Sequence, residues 1–245
     1  MLGVGSPTGM AQPSKTQIGR LGDRLKKGPA EKSDLIALDT WRRSFGPAYD
    51  SVVQTIRDQL KLNPSGRPAK STNSLVEKLK RESIRLTQVQ DIAGCRVVVR
   101  NVPEQDWVAV SLAATFSGAS IVDRREITSY GYRAVHIIAD VAGKLVEIQV
   151  RTELQHMWAE LSEKYADIFG SEIKYGGGAS EIRKHMEIIS ESVAEYEETE
   201  RKFAKATKSD KVKDIQKTMD LLRKEIAKLL DEEFAFINLM KGKEE

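Results

Sequence analysis

Two acidic residues, Asp91 and Glu147, stand in strand-like segments beside cations and polar groups of the kind that handle phosphate. Along Lys144 to Arg151 a two-residue period puts Val146, Ile148 and Val150 on one side and Glu147, Gln149 and Arg151 on the other. In the segment before it, Tyr132, Ala134 and His136 alternate with Val135 and Ile137, so a ring and an imidazole can share a surface with the Glu147 row. Asp91 lies in Asp91-Ile92-Ala93-Gly94, just ahead of a strand that carries Arg96 and Arg100 on its polar alternation. Such residues have ordinary roles as turn-stabilising carboxylates and solvated strand faces. Two carboxylates from different strands also suit Mg²⁺, which takes one or two of them together with substrate phosphate oxygens. A third group supports that chemistry. Ser74, Lys78, Arg81 and Arg85 recur on one side of a helical segment, with Lys70 ahead of it and Leu75, Leu79 and Leu86 on another side. Ser74-Leu75-Val76-Glu77 fits a capping box that starts this helix. A helix start bearing Ser and Lys gathers backbone N–H groups, the helix dipole and cationic side chains, which together suit a triphosphate.

The elements that must position these groups are legible in outline. Residues 1–30, with scattered Gly and Pro, are expected to be a flexible tail. From Asp34 to Ile56 apolar residues step at helical spacing across a break at Gly46-Pro47, and Asn63-Pro64-Ser65-Gly66 reads as a turn. The basic helix is expected from Ser74 to Leu86. Strands follow at Cys95 to Arg100, Ser120 to Glu126, Arg133 to Asp140 and Lys144 to Arg151, with helices at Glu104 to Phe116 and Glu153 to Ile168. The fold class is therefore α/β, a mixed β-sheet flanked by helices. The Gly176-Gly177-Gly178 run reads as a hinge closing a domain over 31–178. Beyond it, 179–245 carries two long amphipathic helices, joined near Lys208-Ser209-Asp210, with stripes that include Met186, Val193, Tyr196, Val212, Ile215, Met219 and Leu229.

Composition bounds the rest. The 245 residues include 39 Lys and Arg against 36 Asp and Glu, a net charge of +3, so any basic site must be local. With 40% hydrophobic residues the chain can build a core. A single cysteine, Cys95, excludes a disulfide framework or a zinc site of several thiolates, and reads as a small core residue in a reducing cytoplasm. No run approaches the roughly 20 apolar residues of a membrane span.

Four blocks in order carry a family likeness: Arg67-Pro-Ala-Lys70 with Ser74, Lys78 and Arg81; Asp91-Ile-Ala-Gly-Cys-Arg96; Gly131-Tyr-Arg-Ala-Val-His136; and Val146-Glu-Ile-Gln-Val-Arg-Thr152. Together they resemble the RelA/SpoT synthetase domain, over roughly Asp34 to Gly178. The resemblance implies a nucleotidyltransferase-like fold and an enzyme that moves pyrophosphate from ATP to the 3′-hydroxyl of GDP or GTP, making alarmones. It implies Asp91 and Glu147 as Mg²⁺ carboxylates, with Glu147 also activating the acceptor hydroxyl. It implies ATP contacts from Arg67, Lys70, Ser74, Lys78, Arg81 and Arg96, the last by stacking on adenine. Tyr132 matches the aromatic that stacks on the acceptor base, and His136, Gln149 and Arg151 fall in the acceptor blocks. The chain departs from the pattern where Ile127-Thr-Ser-Tyr130 replaces a Pro-Lys pair before Gly-Tyr, and where Ser162-Glu163 replaces a Glu-His pair. The only histidines are His136, His156 and His185, without the His-Asp pair of the family's hydrolase domain, so a small single-domain synthetase is expected. Three alternatives of partner follow. The acceptor is a guanosine nucleotide or, as in toxic small members, the 3′ end of tRNA, with an antitoxin as partner; or the chain is a non-catalytic nucleotide-binding adaptor. In each case homo-oligomers through the C-terminal helices are expected.

Overall fold

The computed structural model describes residues 13–205 and 211–241. The first twelve residues of the expected tail and the joint near Lys208 to Asp210 lie outside the described residues, as do the side chains of Val212 and Ile215.

The rest of the expected tail is a helix. Helix α1 (Lys15–Lys27) opens with a capping box between Ser14 and Gln17 and buries Ile18, Leu21 and Leu25. Its apolar stripe is carried by only three residues among glycines, and one glycine has a packing reason. A Cβ on Gly22 would stand 2.7 Å from the Cβ of Leu86, so glycine lets α1 approach that chain closely. Arg24 then ties α1 to α2 (Lys32–Arg43) through a two-pronged contact with the buried Asp34, at 2.6 Å. The Gly46-Pro47 break holds: α3 (Gly46–Thr55) is a separate helix with proline in its first turn.

Two local expectations change. Ser65 and Gly66, read as the end of a turn, form with Arg67 the short edge strand β1 (Ser65–Arg67). Three exposed residues without alternation give no strand signal, yet Gly66 allows the close pairing, because a Cβ there would lie 2.5 Å from the Cα of Cys95. Helix α4 (Thr72–Glu82) is capped by Ser71, whose Oγ accepts from the backbone N–H of Ser74 at 3.2 Å. Ser74 thus sits inside the first turn instead of starting it, and the helix stops at Ser83 in the left-handed region.

The sheet comprises β1, β2 (Ala93–Val99), β3 (Ser120–Asp123), β4 (Val135–Val141) and β5 (Lys144–Thr152), in the order β1-β2-β5-β4-β3. Strands β2 and β5 are parallel and the other pairs antiparallel, so the sheet is mixed. Helix α5 (Val102–Thr115) makes the crossover after β2. One face of the sheet, with Cys95, Val97, Val99, Val146, Ile148, Val150, Val135 and Ile137, packs with α1 to α5 into the main core. Burial pushes the Cys95 thiol up to about 12, so it is an inert core group as expected.

Helices α6 (Glu153–Phe169), α7 (Ser180–Lys205) and α8 (Lys211–Lys241) build a second core from Leu154, Trp158, Leu161, Tyr165, Met186, Val193, Tyr196, Met219, Leu230 and Ile237. The C-terminal stripes therefore pack, in part, on their own chain. Leu222, Leu229 and Phe236 of α8 remain exposed at seven-residue steps.

Between the two cores lies a buried carboxylate. Glu197 of α7 accepts from the hydroxyl of Thr152 and, at 2.7 Å, from the side-chain amide of Gln155. Burial pushes its carboxyl up and nearby Glu200 adds to this, while Thr152, Gln155 and Arg125 oppose. A folded-state value above the ordinary 4.5 means that the folded protein holds a proton that the unfolded chain releases. This contribution to stability is full at low pH and is lost as pH rises through the folded value. Glu197→Gln is expected to flatten the decline of Tm as pH rises above the ordinary value of 4.5, leaving the slope from Glu200, which burial also raises. Melting curves with equal slopes for the two proteins would contradict this.

Candidate active site

The second face of the sheet carries the polar alternation, and the strand register assembles it. Gly94 lies beside Glu147 and Arg96 beside Gln149 across β2 and β5, while His136 lies beside Gln149 across β4 and β5. Gly94 has no side chain to cover Glu147; a Cβ there would stand 3.1 Å from the Glu147 carbonyl oxygen.

Asp91 enters from the chain just before β2. The backbone N–H of Lys70 donates to the carbonyl of Ile92 at 2.7 Å, which fixes the segment after β1 against the start of β2. The Lys70 Nζ then reaches Asp91 Oδ2 at 2.7 Å, and Lys78 Nζ, from the second turn of α4, reaches Oδ1 at 3.0 Å. Burial acts to raise the Asp91 carboxyl, but the two lysine charges and their hydrogen bonds outweigh it and hold it below the usual range. Asp91 is thus an anion at neutral pH, with two cations that a triphosphate could also attract.

Glu147 belongs to a closed ring of five side chains. His136 Nδ1 stands 3.0 Å from Glu147 Oε1, and His136 Nε2 is 2.8 Å from the Tyr132 hydroxyl. Arg151 Nη2 donates to that hydroxyl at 3.1 Å and to Gln149 Oε1 at 2.7 Å, and Gln149 Nε2 returns to Glu147 Oε2 at 2.6 Å. The Arg151 guanidinium also lies 5.0 Å above the Tyr132 ring. A ring in which each member is held by two others fixes Glu147 and Tyr132 relative to each other. Burial raises the Glu147 carboxyl and Asp91 adds to this, but the hydrogen bond and charge of His136, with Gln149, bring it below its ordinary value. The two carboxylates therefore feel one another, although Asp91 comes from the chain before β2 and Glu147 from β5.

The other expected residues divide. Ser74 is in the first turn of α4, with its hydroxyl 2.8 Å from that of Ser71. Arg42 of α2 donates to the Thr72 hydroxyl at 2.5 Å, a cation at this helix start that the sequence pattern did not single out, because it lies 30 residues away. Arg96 extends from the polar face to within 3.8 Å of Glu160 on α6. Arg67 is exposed on β1 opposite Gly94. Arg81 does not join Lys70 and Lys78 on Asp91: its guanidinium lies 3.6 Å over the Tyr175 ring and 3.0 Å from Glu82. One turn of helix beyond Lys78 carries it toward the segment after α6, and nothing near it in sequence announces that contact. His156 Nε2 is 3.5 Å from Glu160 Oε1.

The donor chemistry fits Mg²⁺. Each carboxylate oxygen of Asp91 and Glu147 accepts from one partner and keeps further acceptor capacity, and their mutual repulsion is what a divalent cation would relieve. Among the described residues no group of three or more His, Cys, Asp and Glu gathers to form a self-sufficient metal site. A hard cation completing its shell with phosphate oxygens needs only two such carboxylates.

The polar face of the mixed five-stranded sheet thus joins two acids to a cluster of cations. Residues 66–167, from β1 through most of α6, match the family model described as the region found in RelA / SpoT proteins, and the chain carries that region. The small alarmone synthetase 1 of Bacillus subtilis shares the fold, with a TM-score of 0.52 and 25% identity over 68% of this chain and 96% of that one. A GTP pyrophosphokinase family protein of Streptococcus pneumoniae does so with a TM-score of 0.51 and 24% identity, over 78% of this chain and 98% of that one. Among curated sequences, the uncharacterized protein Rv1366 of Mycobacterium tuberculosis is 40% identical over 111 residues, 44% of this chain and 41% of that protein. A guanosine-3′,5′-bis(diphosphate) 3′-pyrophosphohydrolase of Aquifex aeolicus is 34% identical over 126 residues, 49% of this chain and 18% of that protein. The chain thus spans less than half the length of the curated relatives it matches. No helix among the described residues is long and apolar enough to cross a membrane.

Proposed function

We propose that this protein is an ATP-dependent pyrophosphokinase that transfers the β,γ-pyrophosphate of ATP to the 3′-hydroxyl of GDP or GTP, releasing AMP. The observation that carries the reading is the convergence of Asp91, with Lys70 and Lys78, and Glu147, with the Tyr132 ring system, on one face of the sheet. A structure of the Bacillus subtilis synthetase bound to its product pppGpp supports a guanosine acceptor for this fold.

Transfer of this kind leaves little covalent work to the protein, which must align the reacting groups and balance charge. Lys70 and Lys78, beside the N-terminus of α4 and its backbone N–H groups, receive the triphosphate. Arg96 and Arg67 lie along the adenine side. Tyr132 offers a face for the acceptor base, and the ring of His136, Arg151 and Gln149 keeps that face at a set distance from Glu147. The Glu147 carboxylate accepts the hydrogen bond of the 3′-hydroxyl and takes its proton as the oxygen bonds to the β-phosphorus. The bond from that phosphorus to the α,β-bridging oxygen breaks, and AMP leaves with the electron pair. Asp91 and Glu147 would hold Mg²⁺, which when bound neutralises charge developing on the phosphate oxygens.

The test is an acceptor panel. With Mg²⁺ and ATP, AMP release is expected on addition of GDP or GTP and not of ATP alone. AMP release with label appearing only on tRNA would transfer the assignment to the 3′ end of RNA. Absence of AMP release with every acceptor would leave the adaptor reading in its place.

A further inference from the structure

The turn before Tyr132 is held from behind by the C-terminal helices. Gly131 has φ of 86°, a left-handed conformation that disfavours side chains, and it is wedged between α6 and α7. A Cβ on Gly131 would stand 2.8 Å from the ring of Trp158 and 3.0 Å from the Cβ of Ser190. The carbonyl oxygen of Gly131 accepts from the hydroxyl of Ser190 at 2.5 Å, and Ser190 is buried. Ser190 Oγ accepts in turn from Arg133 Nε at 3.3 Å, and Arg133 Nη1 donates to the carbonyl of Arg125 at 2.5 Å. Trp158 is itself anchored to α7, donating from Nε1 to the carbonyl of Met186 at 3.0 Å. One hydroxyl of α7 therefore grips the residues on both sides of Tyr132, whose phenol is tied to His136 and Arg151.

We infer that Ser190 is a positioning residue for the acceptor nucleotide, through which the C-terminal helices set the place of the Tyr132 ring. The inference rests on the proposed function for the identity of the acceptor, and on the contacts alone for the hold on the turn. Ser190 touches neither the Asp91 cluster nor its lysines, so the ATP half of the site does not depend on it. Its loss leaves the Gly131 carbonyl without its donor and the Arg133 Nε without its acceptor, while the backbone of α7 is undisturbed.

The experiment compares the full chain with Ser190→Ala and Ser190→Thr. Ser190→Ala is expected to raise the KM for GDP or GTP about tenfold, the scale of one ordinary buried hydrogen bond, and to leave kcat and the KM for ATP within about twofold. Ser190→Thr keeps the hydroxyl that donates to the Gly131 carbonyl, so it should restore the acceptor KM. Amide hydrogen exchange supplies a readout independent of turnover: in Ser190→Ala, exchange should quicken across residues 129–133 and stay unchanged across 88–94. Unchanged exchange in the turn, or equal shifts of both KM values, would overturn the inference. A wild-type chain that releases no AMP with any acceptor while exchange still quickens in Ser190→Ala would defeat the pyrophosphokinase reading and leave the hold on the turn standing.

Discussion

Glu147→Gln is expected to reduce acceptor-dependent AMP release by about three orders of magnitude or more, in a protein that still folds. Two losses combine in this change. The proton acceptor for the 3′-hydroxyl disappears, an effect of typically about 10²- to 10⁴-fold. One of the two negative charges that would hold Mg²⁺ disappears with it. The substitution preserves shape, so the apolar side of β5, with Val146, Ile148 and Val150 in the core, is untouched. Its cost in stability is confined to the ring. A carboxylate satisfies His136 and Gln149 as an acceptor on both oxygens, whereas a carboxamide presents one donor to partners that are already donating. One contact breaks, at about 1 to 3 kcal/mol. Quenched-flow or steady-state AMP measurements, with circular dichroism for the fold, check this. Turnover within tenfold of wild type would remove Glu147 from the chemistry.

Asp91→Asn carries the second largest effect and a distinct signature. Turnover should fall by at least about 10²-fold, because the second anionic ligand is gone. ATP binding measured with chelator present should hold or tighten, because Lys70 and Lys78 lose the anion that now occupies both. A neutral amide partners one lysine through its oxygen and repels the other through its nitrogen, so both cations are freed in part for the triphosphate. A fall in turnover accompanied by equal loss of chelator-insensitive ATP binding would assign Asp91 a role in keeping α4 in place instead.

What the sequence disclosed follows from periodicity. The two-residue alternation of β5 put Glu147, Gln149 and Arg151 on one face, and the register places His136 and Arg96 on the same surface. The i, i+4 step from Ser74 to Lys78 put a cation over Asp91. Residues were missed where the signal was three-dimensional. Arg42, Tyr175 and Ser190 meet the site from 30 to 94 residues away in sequence, and nothing in their own neighbourhoods records the contact. Strand β1 was missed because three exposed residues have no face to alternate, and α1 because two glycines broke up a stripe that packing against Leu86 required. Arg81, one i, i+3 step from Lys78, lies over the Tyr175 ring, a contact that helical spacing alone does not announce.

The fate of the two transferred phosphorus atoms tests the central claim most directly. With ATP labelled separately in its β- and γ-phosphates and GTP or GDP as acceptor, both labels should move together to the guanosine 3′ position, with one AMP formed for each acceptor modified. Label retained in ADP, or a γ-phosphate that travels alone, would contradict pyrophosphate transfer on the face shared by Asp91 and Glu147.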